Sequence, residues 1–225
     1  FIGQPLAFGF QQVGTNCGLI GQNAALEVDG AAYWLSENGF FRYSGSLETM
    51  TCLVEDFVYN DLNTTANQLI NVGLNNLFGE ITWFYCTESS TVINRCVTYN
   101  YMDSSPQRPV WTTGTLARGT WQDSSVFGLP HATYFNADDD ASFDVVGNTE
   151  GSTIYFEHEK GLDQIKEGAT SSITANIQSG DFDIGQQGLQ GDGEFMMKIR
   201  RVLPDFLSQT GDSVVTLNLK DFPND

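Results

Sequence analysis

Short strand-like runs separated by turn residues extend along most of this chain, and they constrain its fold more than any other feature. The clearest unit places Ala31–Ser36 and residues 40–44 on either side of Glu37-Asn38-Gly39. Asn-Gly between two such runs is a strong β-hairpin signal, because both residues tolerate the positive φ angles of a type I′ turn. Together with 23 glycines, which suit frequent turns, this texture predicts an all-β fold.

Further strands are predicted along the rest of the chain. Residues 68–75 and 80–86 form a predicted hairpin joined through Asn75, Asn76 and Gly79. The remaining predicted strands cover residues 96–101, 111–116, 121–134, 154–158, 171–178, 195–203 and 214–219. The polar stretch 136–152 and the glycine-rich stretch 180–193 are predicted to be surface loops.

One segment near 52–62 has a helical pattern instead. Val54, Phe57, Val58 and Leu62 are apolar at offsets that place them on one helix face. Thr51 is the predicted N-cap, because its hydroxyl is of the type that accepts a hydrogen bond from the first helical turn. We therefore expect a short helix interrupting the strands.

Aromatic runs recur with a loose period. They begin at Tyr33-Trp34, Trp83-Phe84-Tyr85 and Tyr155-Phe156, roughly 50 to 70 residues apart, which is near the size of a propeller blade. Adjacent aromatics suit a sheet covered on both faces, as in a stack of blades. We therefore predict antiparallel sheets arranged as a β-propeller or part of one, with a β-sandwich as the alternative. The predicted core aromatic residues are Trp34, Phe40, Trp83, Tyr85, Tyr99 and Trp111.

No domain boundary is evident, so residues 1–225 are predicted to form a single all-β domain or a partial propeller. The chain begins at Phe1 without an initiator Met, and we expect it to be a piece of a longer protein. No apolar run approaches the roughly 20 residues of a membrane-spanning helix.

The charge limits the partners. Twenty-eight acidic residues against ten basic ones give a net charge of −18, which repels polyanions. Tight binding to nucleic acid needs several cations against the phosphates, so we do not expect it. A channel whose wall is acidic would still let DNA pass without adhering to it. The one basic cluster, Lys198-Ile199-Arg200-Arg201, is interpreted as charge protecting a strand edge.

Two histidines cannot form a multi-histidine metal centre. The four cysteines, Cys17, Cys52, Cys86 and Cys96, are too few for a disulfide scaffold. We interpret them as free thiols, with a Cys86–Cys96 bridge across a hairpin left open.

Several motifs contain the acidic or histidine side chains that sites use. Asp138-Asp139-Asp140 with Asp144 lacks the spacing of a calcium loop, and Asp181 and Asp183 only resemble a glycosidase pair. If Glu157-His158-Glu159 lies on a strand, His158 points to the opposite face of the sheet from both glutamates. His131 has no evident Ser or Cys partner. The sequence therefore predicts no catalytic residue, no cofactor-binding residue and no metal ligand.

Three segments carry a resemblance to a known family. They are Ala32-Tyr33-Trp34 with residues 38–45, residues 110–121, and residues 177–185. In these, and in their order over residues 10–205, the chain resembles the tail nozzle proteins, or DNA-stabilisation proteins, of short-tailed bacteriophages.

The resemblance implies a structural virion protein with a β-propeller, present as a homohexamer that extends and closes the DNA channel of the phage tail. It implies neighbours in the tail adaptor, near the portal, and in the tail fibres. It implies assembly in the host cytoplasm, passage of DNA during genome ejection, no membrane contact, no enzymatic activity and no cofactor. Proteins of this family are usually much longer than this chain.

Two functions of other classes stay open. A carbohydrate-binding or glycoside-cleaving propeller would use aromatics such as Trp111 or Trp121 to stack on sugars. A bacterial surface adhesin domain is the other.

Overall fold

The computed structural model describes residues 9–124, 126–136, 152–166, 169–173, 175–179, 198–205 and 211–219. The chain divides into two compact units, Phe1–Ile173 and Thr174–Asp225. All regular secondary structure among the described residues lies in the first unit. That unit is all-β, with four antiparallel sheets, one short α-helix and one 3₁₀ helix.

Each sheet is built from strands that follow one another in the chain. The first sheet contains β1 (Ala25–Val28), β2 (Ala31–Ser36), β3 (Gly39–Tyr43) and β4 (Leu47–Met50). The second contains β5 (Asn71–Asn75), β6 (Glu80–Tyr85), β7 (Arg95–Asn100) and β8 (Trp111–Gly114). The third contains β9 (Thr120–Gln122), β10 (His131–Asn136) and β11 (Ser152–Glu157), and β12 (Asp163–Lys166) pairs with β13 (Ala169–Ser172).

The main core lies where the first two sheets pack face to face. Phe40 on β3 contacts Trp83 on β6 and Trp111 on β8, with ring centroids 5.1 and 4.6 Å apart. Leu35 and Ile81 are fully buried in the same cluster. Burying aromatic side chains of this size is a major source of stability, because each removes a large apolar area from water.

All four tryptophans also donate an indole N–H to a backbone carbonyl. Trp83 donates to Ala24 (3.0 Å) and Trp111 to Thr51 (2.8 Å), which joins the second sheet to segments flanking the first. Trp121 on β9 donates to Leu74 (2.7 Å), and Trp34 donates to Cys17 (2.8 Å). A buried indole N–H needs such an acceptor.

The predicted core is confirmed at four of its six positions. Phe40, Trp83, Tyr85 and Trp111 are buried. Tyr99 is only partly buried, although it packs against the main core. Trp34 was predicted wrongly: strand alternation turns it to the opposite face of β2 from Tyr33 and Leu35, where it is partly buried and stacks on Phe41.

The hairpin of β2 and β3 is confirmed, but its turn lies one residue earlier than predicted. Ser36 pairs with Gly39, so Glu37 and Asn38 form the tip. Gly39 follows the tip and has a φ of 122°, a backbone conformation that residues with a side chain rarely adopt. The hairpin of β5 and β6 and the pairing of β6 with β7 are confirmed.

The predicted helix is present as α1 (Glu55–Asp61), in which Val58 is fully buried. Thr51 is not its cap, because the helix begins later and its N-cap position is Val54, which makes no side-chain capping bond. Phe57 is 46% exposed and lies beneath the Arg95 guanidinium, 5.6 Å from it. A 3₁₀ helix, Thr64–Leu69, was not predicted and is capped by Asn63.

The last two predicted strands are wrong where they can be compared. Residues 198–203 and 214–219 form no strand, and they are exposed, including Val214 and Leu219. No strand within the described ranges pairs with them, so their alternating pattern finds no ladder. The basic cluster at 198–201 therefore does not edge a sheet. The predicted loop 180–193 lies outside the described residues, and so does 136–152 apart from Asn136 and Ser152, which belong to β10 and β11.

The four cysteines are free thiols, and Cys86 and Cys96 are buried. Burial raises the pKa of both thiols. Over the described ranges, no helix has the length and apolar character required to cross a bilayer.

Candidate functional site

The first strands of the three large sheets come together at one place. Asn23, just before β1, forms an isolated parallel bridge with Asn71 on β5, and β5 also lies against β9. An open pocket of about 360 Å³ lies at this junction. Its lining consists of neutral residues, namely Gln22, Asn23, Ala25, Asn71, Val72, Gly119, Thr120 and Trp121.

Trp121 forms one wall of this pocket and is held firmly in place. Its ring lies over Gly73, where an added Cβ would overlap the indole Cγ. The ring stacks on Phe84 at 5.8 Å and contacts His158 at 4.6 Å. With its N–H bound to Leu74, this side chain is a fixed structural element of the junction between the second and third sheets.

Asn71 connects β5 to the segment before β9. It is 7% exposed, and its Nδ2 donates to the carbonyl oxygen of Arg118 at 3.0 Å. Its Oδ1 is buried and has no hydrogen-bond partner in the part of the chain that the structure describes. The single bond therefore fixes the start of the third sheet against the second.

A buried arginine lies next to this junction. Arg118 is 7% exposed; its Nε donates to Nε2 of His158 (2.9 Å) and its Nη1 to the carbonyl of Ala117 (2.6 Å). The guanidinium carbon lies 3.7 Å from the centre of the Phe156 ring, a close cation–π contact. The guanidinium is thus held on one face and at two of its three nitrogens.

Burial changes the pKa of both side chains of this pair, Arg118 and His158. It lowers the pKa of Arg118 to about 10. Burial, with the Arg118 and His131 charges as lesser causes, lowers the pKa of His158 to about 4. His158 is therefore neutral at pH 7, and because its Nε2 accepts from Arg118, its proton is on Nδ1.

The motif Glu157-His158-Glu159 is not an acid–base trio in the structure. Glu157 pairs with Lys160, Glu159 accepts from Nδ2 of Asn75, and His158 accepts from Arg118. The three side chains therefore serve three separate contacts, as strand geometry indicates.

His131 is buried and is bonded through Nδ1 to the hydroxyl of Tyr155, with Phe127 packed edge-on against its ring. Asp138-Asp139-Asp140, Asp144, Asp181 and Asp183 lie outside the described residues. Within the described ranges, no three His, Cys, Asp or Glu side chains are arranged to hold a metal ion.

Sequence reasoning missed Asn71 and Arg118 as members of this region. Arg118 stands between Ala117 and Gly119, and nothing in this tripeptide indicates that its guanidinium is buried. Its burial depends on Phe156 and His158, which lie about 40 residues away in the chain.

No protein-family model matches the chain, and no curated protein matches it.

Proposed function

We propose that this protein is a structural component of a bacteriophage tail, and that its stacked sheets are part of a β-propeller in the nozzle that extends and closes the DNA channel. Its role is assembly and containment, as the resemblance to tail nozzle proteins implies. In this role it forms a six-fold ring, contacts the tail adaptor and fibres, and lets DNA pass without binding it.

The arrangement of the first strands is the observation that carries this proposal. The first three sheets begin at Ala25, Asn71 and Thr120, so they recur every 46 to 49 residues. Propeller blades are antiparallel sheets of about this length, packed face to face around an axis lined by their first strands. Here β5 lies against β1 and β9, the Asn23–Asn71 bridge is parallel, and the core fills the space between sheets.

The charge supports a conduit for DNA. A net charge of −18 repels phosphates and removes the counterion release that drives nucleic-acid binding. Arg42 and Arg95, moreover, are each paired with a carboxylate of this chain, Glu48 and Asp61. The two arginines that lie on strands of the first two sheets are therefore already paired with anions.

Electron microscopy of the purified protein, together with native mass spectrometry, tests the proposal. We expect rings of six copies. Fluorescence anisotropy with labelled duplex DNA at low salt should show no binding. A protein that stays monomeric at every concentration, or one that binds DNA tightly, contradicts it.

A carbohydrate-binding function receives less support. Trp111 is buried in the main core with its N–H bound to Thr51. Trp121 is in contact with Gly73, Phe84 and His158. Stacking on a sugar needs an exposed aromatic face, which the buried Trp111 lacks. Trp121 lines the open pocket, but its ring is already packed against these three residues. The neutral amides of the pocket are the feature that favours it.

A further inference from the structure

We propose that Arg118 anchors a binding site for a small oxyanion, a carboxylate or phosphate group that approaches the outer edge of its guanidinium. This inference is independent of the proposed function, because it depends only on the contacts of one side chain.

The guanidinium has unused hydrogen-bond donors. Arginine carries five N–H donors, of which the structure uses one on Nε and one on Nη1. Nη2 has no partner among the described residues, and it is not one of the buried polar atoms left unsatisfied. Nη2 therefore keeps some exposed surface, and its N–H donors are available to a ligand that reaches it.

The charge of Arg118 also has no counter-charge in the described part of the chain. Arg42 and Arg95 have side chains that are 33% and 29% exposed, and each pairs with a carboxylate at about 3 Å. Arg118 is far more buried and has only a neutral imidazole, a carbonyl and an aromatic ring. A buried cation without an anion is costly, so an external anion is stabilising here.

The site is already shaped for such a ligand. His158, Ala117 and Phe156 hold the guanidinium plane in one orientation. Two parallel N–H donors on that fixed plane match two oxygens of one carboxylate or phosphate group. A cation is repelled by this group, and a neutral ligand leaves its charge unpaired.

The test follows the ¹H–¹⁵N resonance of Arg118 Nε in the wild-type protein, assigned through its side-chain spin system. Sodium phosphate and sodium acetate are titrated separately at pH 7 and constant ionic strength, set with sodium chloride. We expect a saturable shift of this resonance with at least one anion. The anion that produces the shift shows whether the ligand is a phosphate or a carboxylate. A resonance that moves with neither overturns the proposal.

Calorimetric titration of variants provides the matched comparison. In Arg118→Lys the planar pair of donors is lost, and we expect binding to weaken about tenfold or more, as for loss of a hydrogen bond to a charged group. Arg108→Lys changes an exposed arginine and should bind as the wild type does. Equal weakening in both variants, or in neither, overturns the proposal. The resonance measurement needs no substitution, so it decides the question even if Arg118→Lys does not fold.

Discussion

Trp83 lies at the centre of the contact between the first two sheets. It is fully buried, contacts the rings of Phe40 and Trp111, and donates its N–H to Ala24. One side chain therefore combines apolar burial, aromatic packing and a hydrogen bond between sheets. Such a residue contributes more to stability than its area alone indicates.

Trp83→Ala should lower the free energy of unfolding by about 3 to 5 kcal/mol, because it leaves a large cavity and an unpaired carbonyl. Urea denaturation followed by circular dichroism measures this. Leu77→Ala, at a side chain that is 50% exposed, is the control and should change stability little. A small effect at Trp83 contradicts its central role.

His158 makes stability depend on pH. Its folded pKa of about 4 lies below the ordinary 6.5, so the unfolded chain binds the proton more readily than the folded one. The contribution of this residue is fully present above pH 6.5 and is lost as the pH falls from 6.5 through 4. The shift arises from burial and from the neighbouring Arg118 charge.

We expect the wild type to lose more stability between pH 6.5 and 4 than His158→Gln, which keeps an acceptor for Arg118 but does not titrate. Unfolding free energies at several pH values measure the difference, and an NMR titration of the His158 ring gives the pKa directly. Identical pH profiles, or a ring that titrates near 6.5, contradict this account.

At the scale of elements, β5 shows how one glycine joins two sheets. Gly73 lies in the middle of this strand, where glycine ordinarily weakens a strand. Here the missing side chain lets Trp121 of β9 lie directly on the β5 backbone and donate to Leu74. Glycine at position 73 is therefore explained by the contact with the neighbouring sheet and not by strand propensity.

Gly73→Ala should destabilise the protein by about 1 to 3 kcal/mol, because the new methyl group displaces the Trp121 ring. Gly18→Ala is the matched control, since nothing lies within 4 Å of a Cβ at that position. Both substitutions reduce the freedom of the unfolded chain equally. Chemical denaturation compares them, and equal stabilities contradict the close contact.

Elements specified by local pattern were predictable, and those that depend on distant partners were not. The hairpin of β2 and β3 and the helix α1 follow from turn residues and apolar spacing within about a dozen residues. The predicted cap at Thr51 is wrong because α1 begins only at Glu55, so Thr51 lies outside its first turn. Residues 214–219 have a strand pattern, but a pattern provides no partner strand.

The candidate site was the least predictable part for the same reason. The pocket collects residues from before β1, from β5 and from β9, which are some 50 residues apart in turn. Polar side chains such as Asn23 and Asn71 are unremarkable in their own segments. These side chains line one pocket only because the first strands of the three sheets lie side by side.

At the scale of the whole molecule, the charge of −18 should oppose folding through self-repulsion. Raising sodium chloride from about 0.01 M to about 1 M shortens the screening length from about 30 Å to about 3 Å. We therefore expect the thermal unfolding midpoint near pH 7 to rise with salt, as measured by calorimetry.

The control for this effect is a second series near the isoelectric point of about 4.1, where the net charge is close to zero. The rise with salt should be much smaller there. A midpoint that falls with salt at pH 7, or rises equally at both pH values, contradicts self-repulsion as the cause.

Because synthesis proceeds from the N-terminus, the first sheet emerges before the aromatic side chains that cover it. The first sheet is complete in sequence by Met50, but Trp83 and Trp111, which cover Phe40, leave the ribosome later. Until then its inner face stays open to water. A nascent chain that ends before residue 83 therefore leaves the apolar face of the first sheet uncovered, and exposed apolar surface of this kind promotes aggregation.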